Sequence, residues 1–213
     1  MCRLLLIKSQ SDLPVQDDLA AFAELCRTSP EYQGHGWGLA YKDEADQWRH
    51  YRSLTPVWED DFSFVPSTRW LLVHARSAFQ NEGIAVENNM PFTRGDSQFI
   101  FNGELRGVRL RAPGRIGAEK LFHTVSSHHR GDLRQGVKRA VATILERSRY
   151  VRAMNMILTE GEQSVVFSYF GEDASYFTLY RHDQDTCTRV CSGRYGDLEQ
   201  WHPLENLSLE VIP

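Results

Sequence analysis

No apolar run in this sequence is long enough to cross a bilayer. The run near the start, Leu4-Leu5-Leu6-Ile7, has four residues, where a membrane helix needs about 20 and a signal-peptide core about 7–15. No basic stretch precedes it. Neither membrane insertion nor secretion is expected, and the reading is a cytoplasmic protein. Positive charge is not in excess either: 24 Lys and Arg stand against 28 Asp and Glu, for a net charge of −4. That balance argues against nucleic acid and anionic membranes as partners. Cysteine is scarce, with Cys2, Cys26, Cys187 and Cys191 only, and no paired framework of the kind small secreted domains use. Cys187 and Cys191 lie four apart in a strand-like run, so they share a face but are too far apart to bond. No second pair completes a metal site, and no metal or cofactor is expected. No Pro/Ser/Gly-rich linker and no internal repeat divides residues 1–213, which are read as one domain.

What is present reads as an ordinary globular chain, 41% hydrophobic and 24% charged. RLLLIKS reads as a buried strand. DDLAAFAELCR sets Leu19, Phe22, Ala23 and Cys26 at i, i+3, i+4, i+7, one stripe of a helix. GWGLAYKD and QWRHYRSL read as strands joined by the polar turn DEAD. RWLLVHARSA reads as a strand buried on both faces, and SQFIFNGEL as a strand ending at the turn signal Asn-Gly. Two helices are expected next. AEKLFHTVSSHH is short; DLRQGVKRAVATILERSR is long, with Leu133, Val137, Ala140, Val141, Ile144 and Leu145 on one face. His123, His128 and His129 do not converge on one point of such a helix and are read as a solvated face. NMILTEG, SVVFSYF, YFTLYRH, TCTRVCS and LSLEVIP close the chain as strands. Strands on both sides of a helical middle suggest two sheets packed together and covered by helices.

The opening Met-Cys pair admits two readings. Cys2 is small enough for Met1 to be removed by methionine aminopeptidase, leaving a thiol and an α-amine on one residue. The thiolate is a strong nucleophile, and an α-amine with a pKa of roughly 7.7–8.0 can take a proton near neutrality. One residue would then serve as nucleophile and base. The alternative is a small residue that merely starts an edge strand.

Four further motifs follow MCRLL: HGWGLAY at 35–41, HARSA at 74–78, NNMPF at 88–92 and FNGEL at 101–105. In order and approximate spacing the chain resembles the class II glutamine amidotransferases, a branch of the N-terminal-nucleophile hydrolases. It is most similar to the small stand-alone group that begins MCRLL, which includes glutaminase-like proteins and the γ-glutamyl hydrolase of ergothioneine biosynthesis. The motifs carrying the resemblance lie within roughly the first 120 residues. The resemblance implies an α+β fold, a four-layer αββα sandwich of two mainly antiparallel sheets. It implies Cys2 as the nucleophile that attacks a γ-glutamyl amide, forms a thioester and releases ammonia or an amine before water frees glutamate. It implies Asn102 and Gly103 as the oxyanion hole, where on the residues alone Asn-Gly reads first as a hairpin turn. It implies Arg76 as the fork that holds the substrate α-carboxylate, where the alternative is a surface arginine in a salt bridge. Asn88, Pro91 and Phe92 match a pattern that shapes the loop before the oxyanion strand. His74 is read as structural. The glycines of GWG are read as lining the pocket near Cys2, with Trp37 open between lining and core.

The resemblance fails at one substrate contact. The family has Asp-Ser/Thr-Glu after the Asn-Gly strand, and its Asp pairs with the substrate α-ammonium; here the stretch is Gly117-Ala118-Glu119. Gly117 is expected to cap the following helix, with Glu119 complementing its dipole. A Ser-Glu-Pro motif near the family's C-terminus is altered to Ser192-Gly193-Arg194. Three consequences are open: a substrate with a modified α-amine, another acid such as Glu82 or Glu104, or weakened glutaminase activity. Three functions follow: a hydrolase of glutamine or a γ-glutamyl amide, an ammonia-donating subunit whose acceptor site lies on a separate synthase partner, or a weakened sensor of glutamyl compounds.

Overall fold

The structure is a computed structural model that describes residues 1–129 and 131–213. In chain order the first elements are β1 (Arg3–Leu13), α1 (Gln16–Arg27), β2 (Trp37–Lys42), β3 (Trp48–Ser53), β4 (Thr68–Ala75), β5 (Phe92–Arg94) and β6 (Ser97–Arg106). Then come α2 (Gly117–His128), α3 (Leu133–Glu146), β7 (Tyr150–Glu160), β8 (Gln163–Ser168) and α4 (Ala174–Phe177). The chain ends with β9 (Tyr180–Gln184), β10 (Cys187–Cys191), β11 (His202–Pro203) and β12 (Ser208–Ile212). Two compact units result: Met1–Pro91 with Thr178–Leu204, and Phe92–Phe177 with Glu205–Pro213. Among the described residues, no helix is long and apolar enough to cross a membrane.

The first unit holds one sheet in the order β11-β9-β10-β1-β4-β2-β3, every neighbour antiparallel. Residues Leu4–Ile7 and Trp70–Ala75 are buried without alternation, as central strands require. On one face, Leu5, Ile7, Leu39, Leu71 and Val73 pack with Leu19, Phe22, Ala23 and Cys26 of α1, the stripe read from the sequence. Cys187 and Cys191 join that core as free thiols. The second unit holds a sheet in the order β12-β8-β7-β6-β5, again antiparallel throughout. Its longest helix, α3, buries Leu133, Val137, Ala140, Val141 and Ile144, and Asp132 caps it by accepting from the Gln135 N–H at 2.9 Å. The α+β class with two antiparallel sheets is what the sequence led one to expect.

Four local expectations are corrected. Asn102-Gly103 is no turn: β6 runs through it, with Asn102 opposite Asn155 and Gly103 opposite Met154. Tyr176 and Phe177 belong to α4 rather than to a strand, because Asp173, at φ 53°, breaks the extended backbone and its carbonyl accepts from both N–H groups. The histidines do not form a solvated face. His128 Nδ1 meets the Thr124 carbonyl at 2.8 Å and its Nε2 meets Thr143 Oγ1 of α3 at 3.2 Å, while His129 faces Glu160 at 3.1 Å. Gly117 is the first helical residue of α2, and Ile116 holds the cap position.

One buried ion pair ties α1 to the sheet. Arg189 of β10 donates to both oxygens of Asp18, at 2.8 and 3.1 Å, and Tyr195 Oη donates to the same carboxylate at 2.6 Å. Removing one partner of such a pair strands the other charge, which typically costs about 3–5 kcal/mol. Asp18→Ala is expected to lose about that much by denaturant unfolding; a loss below ~1 kcal/mol would show that Arg189 finds water instead.

Candidate active site

The register of β1 against β4 sets Arg3 opposite Ala75, which carries Cys2 to the segment that follows β4. There the Cys2 thiol lies 3.7 Å from the Ser77 carbonyl. The end of β1 is held from the other side as well. Leu4 N–H donates to Ser192 Oγ at 2.9 Å, Ser192 N–H to the Leu4 carbonyl at 3.0 Å, and Arg3 Nη1 to the Ser192 carbonyl at 2.5 Å. The first residue of the altered Ser-Gly-Arg stretch therefore anchors the strand that bears the thiol. The Met1 ammonium pairs with Glu31, and the Met1 carbonyl accepts from Gln33 Nε2 at 2.6 Å.

Burial pushes the Cys2 thiol above its ordinary pKa; the terminal ammonium, backbone hydrogen bonding at Ser77 and the Arg76 guanidinium oppose the rise, and Glu31 adds to it. Arg76 is 5% exposed. Its backbone is locked to the GWG segment: Arg76 N–H donates to the Gly36 carbonyl at 2.9 Å, and His35 N–H to the Arg76 carbonyl at 3.1 Å. The side chain reaches the Glu82 carbonyl only at 3.4 Å, and its buried Nη1 has no hydrogen-bond partner among the described residues. Among the described residues no carboxylate pairs with it, so the surface salt-bridge alternative does not hold. Desolvation pulls its pKa down, against the nearby Cys2. A guanidinium left with an open N–H edge in a buried setting is suited to an incoming carboxylate.

His35, the first residue of HGWGLAY, sits beside the thiol-bearing segment, a place its sequence setting does not reveal. Its Nδ1 accepts from the Ala78 N–H at 2.8 Å, which shapes the turn carrying Ser77. Burial, Arg76 and the terminal ammonium all lower its pKa. Glu31 and Gln33 had no sequence signal at all. Gly36, at φ +99°, and Gly38 admit no side chain, since a Cβ would run into the Ser53 carbonyl and the Met90 carbonyl respectively. Trp37 is core: it is fully buried and donates through Nε1 to Asp60 at 2.8 Å. His74 is fully buried in mid-sheet, opposite Leu4 and Gly38. Asn88 Nδ2 donates to the Gly83 carbonyl at 2.9 Å, and Pro91 accepts from Arg52, so NNMPF does brace its loop.

Asn102, Gly103 and Gly117 lie in the second unit. Asn102 is fully buried, yet among the described residues neither its Nδ2 nor its Oδ1 has a hydrogen-bond partner. Its cross-strand neighbour Asn155 is fully paired: Nδ2 donates to the Phe177 carbonyl at 2.6 Å, and Oδ1 accepts from Tyr169 N–H at 3.1 Å. A Cβ on Gly103 would strike the Ala153 carbonyl of β7. Gly117 faces open space. Of the alternative acids, Glu104 is already held by Arg106 at 2.5 Å and Arg152 at 3.5 Å, while Glu82 is exposed. Among the described residues no three His, Cys, Asp or Glu side chains gather as a metal would need.

No protein-family model and no curated protein matches the sequence. Solved structures do match the fold. A glutamine aminotransferase class-II domain protein from Silicibacter pomeroyi superposes with a TM-score of 0.68 at 16% identity, over 99% of this chain and 94% of that one. The glutamine phosphoribosylpyrophosphate amidotransferase of B. subtilis superposes with a TM-score of 0.65 at 13% identity, over 90% of this chain and 42% of that one. The chain shares the fold of these proteins.

Gly103→Ala is expected to separate β6 from β7 locally, at a cost of about 1–3 kcal/mol for overpacking. Amide exchange along both strands checks it, and unchanged protection at Asn102 and Met154 would refute the close-approach argument.

Proposed function

We propose that this chain is a class II glutamine amidotransferase-type amidohydrolase of the small stand-alone kind, acting on the side-chain amide of glutamine or of a γ-glutamyl compound. The observation that carries the reading is the pairing, on one segment, of a thiol at Ser77 with a buried Arg76 whose Nη1 has no partner. Loss of Met1 frees the Cys2 α-amine. Burial raises the Cys2 thiol while Met1 is in place; once Met1 is lost, the freed α-amine is the base that takes the thiol proton as sulfur attacks. Sulfur attacks the amide carbonyl, and the α-ammonium returns the proton to the leaving nitrogen. Water, deprotonated by the same amine, then cleaves the thioester. In this reading Asn102 Nδ2 and the Gly103 N–H stabilise the oxyanion, which the lack of any other partner for Asn102 supports.

The test is covalent labelling with a glutamine-analogue diazoketone. Label on Cys2, absent in Cys2→Ala and in chains retaining Met1, is expected. Asn102→Ala should lower kcat about 10²–10³-fold, and Arg76→Lys should raise KM for substrates with a free α-carboxylate. Labelling of a chain that still carries Met1, or unchanged kinetics in both variants, overturns the assignment.

Gly117 favours a second reading, in which free glutamine is handled poorly. Its α-ammonium would meet no carboxylate there, because Gly117 presents no side chain and Glu104 is already paired. A γ-glutamyl amide whose amine portion binds elsewhere is then the better substrate, or the pocket senses such a compound. An aspartate at 117 meets no steric obstacle and sits in the first turn of α2, where negative charge is favoured. Gly117→Asp is expected to raise kcat/KM for glutamine on the order of tenfold or more. An efficient wild-type glutaminase that the aspartate does not improve would show that another acid serves.

A further inference from the structure

The second unit carries a cleft of about 370 Å³ lined by Gly107, Arg109, Glu146, Arg147, Ser148 and Arg149. Its two walls are tied by backbone. Arg149 N–H donates to the Arg106 carbonyl at 3.1 Å and Arg109 N–H to the Arg147 carbonyl at 2.9 Å, extending the β6–β7 ladder past its last pair, Arg106 with Tyr150. Gly107 turns the chain at φ +62°, and a Cβ there would press on Arg149 Cβ at 2.8 Å, so glycine keeps the wall clear.

Three exposed arginines, Arg109, Arg147 and Arg149, line this cleft, and among the described residues none of them has an ion-pair partner. They are not needed to finish α3. The Thr143 carbonyl accepts from Arg147 N–H at 3.0 Å, the Ile144 carbonyl from Ser148 Oγ at 2.7 Å, and the Leu145 carbonyl from Ser148 N–H at 3.3 Å. Glu146 and the negative end of the helix dipole offset part of the charge, leaving a surplus of about +1.5. In a chain of net charge −4, three unpaired arginines on two cross-linked backbones are a local concentration of fork-shaped donors. Such donors match the oxygens of a phosphate two at a time. The volume suits a small phosphorylated molecule.

We infer that the cleft between Gly107–Arg109 and Arg147–Arg149 binds a di- or triphosphate group. Arginines on both walls offer more N–H donors than one phosphate needs, and a short phosphate chain uses them across the cleft. The group reaches the cleft either as an inorganic polyphosphate or as part of a nucleotide.

The test is calorimetric titration of the full chain, at low ionic strength and without added metal, with inorganic tripolyphosphate and with ATP. Saturable one-to-one binding that weakens with added salt is expected. Arg109→Ala and Arg147→Ala should each weaken it about tenfold, and Arg149→Gln should do the same with circular dichroism unchanged. Arg111→Ala, an exposed arginine outside the cleft, should leave affinity intact. Amide shifts on titration should centre on Gly107, Ser148 and Arg149. Equal affinity for both probes assigns the phosphate chain alone; tighter ATP assigns a nucleotide. No saturable binding of either probe overturns the inference. So does an Arg111→Ala variant that loses as much as the cleft variants, since that is a diffuse surface potential and no site.

Discussion

The pairing of β1 with β4 fixes where Cys2 and Arg76 sit in the first unit. Setting Arg3 against Ala75 leaves Cys2 and Arg76 as the next residues on each side, beyond the last ladder pair. Cys2 lies past the β1 ladder, while Arg76 keeps backbone hydrogen bonds to His35 and Gly36 on its other side. A slip of one residue would turn every side chain of β1 to the opposite face, driving the flanking Arg3 or Lys8 toward positions that Leu4, Leu5, Leu6 and Ile7 fill, all fully buried. At about 25 cal/mol per Å² of buried apolar surface, the core holds the register far more firmly than any contact at the thiol could. Ser192, paired twice to Leu4, then limits fraying at the strand end.

Leaving buried polar groups unpaired is costly, typically about 1–3 kcal/mol each. Arg76 Nη1 and both polar atoms of Asn102 carry that cost, while Asn155, one strand away from Asn102, does not. The contrast between two asparagines in one register pair is informative. β7 uses Asn155 as a brace to the Phe177 carbonyl; β6 holds Asn102 with its donors unused. Stability alone would favour an apolar residue at 102, so the asparagine there needs a reason outside folding.

Much of this was legible in the sequence because it rests on periodicity. The Leu19, Phe22, Ala23, Cys26 stripe and the unbroken apolar starts of β1 and β4 follow from geometry that local spacing encodes. What failed was local signal overruled by tertiary context. Asn-Gly reads as a turn until β7 pairs with it on both sides of Gly103. His128 reads as solvated until Thr143, on the next helix, comes within 3.2 Å. Gly117 reads as a cap until the backbone places Ile116 there. The roles of Glu31, Gln33 and Ser192 around the terminus were invisible, since contacts spanning 30 to almost 190 residues leave no spacing to read. The arginine cleft was hidden for a different reason: net charge averages over the chain, and a −4 total conceals clustering.

The four cysteines show why proximity to a base matters more here than acidity. Burial raises all four thiols, Cys191 to about 12 and Cys26 well above its ordinary value. Cys2 therefore gains no advantage from a depressed pKa of the kind that activates many catalytic thiols. Its distinction is position. It is half-buried where Cys26, Cys187 and Cys191 are closed off, and the terminal ammonium and Arg76 both act on it. That ammonium belongs to Met1; in the proposed mechanism the base is a different group, the Cys2 α-amine that loss of Met1 would free. On the proposed reading, a thiol raised by burial would give up its proton only as its bond to carbon forms, with that amine beside it to take the proton.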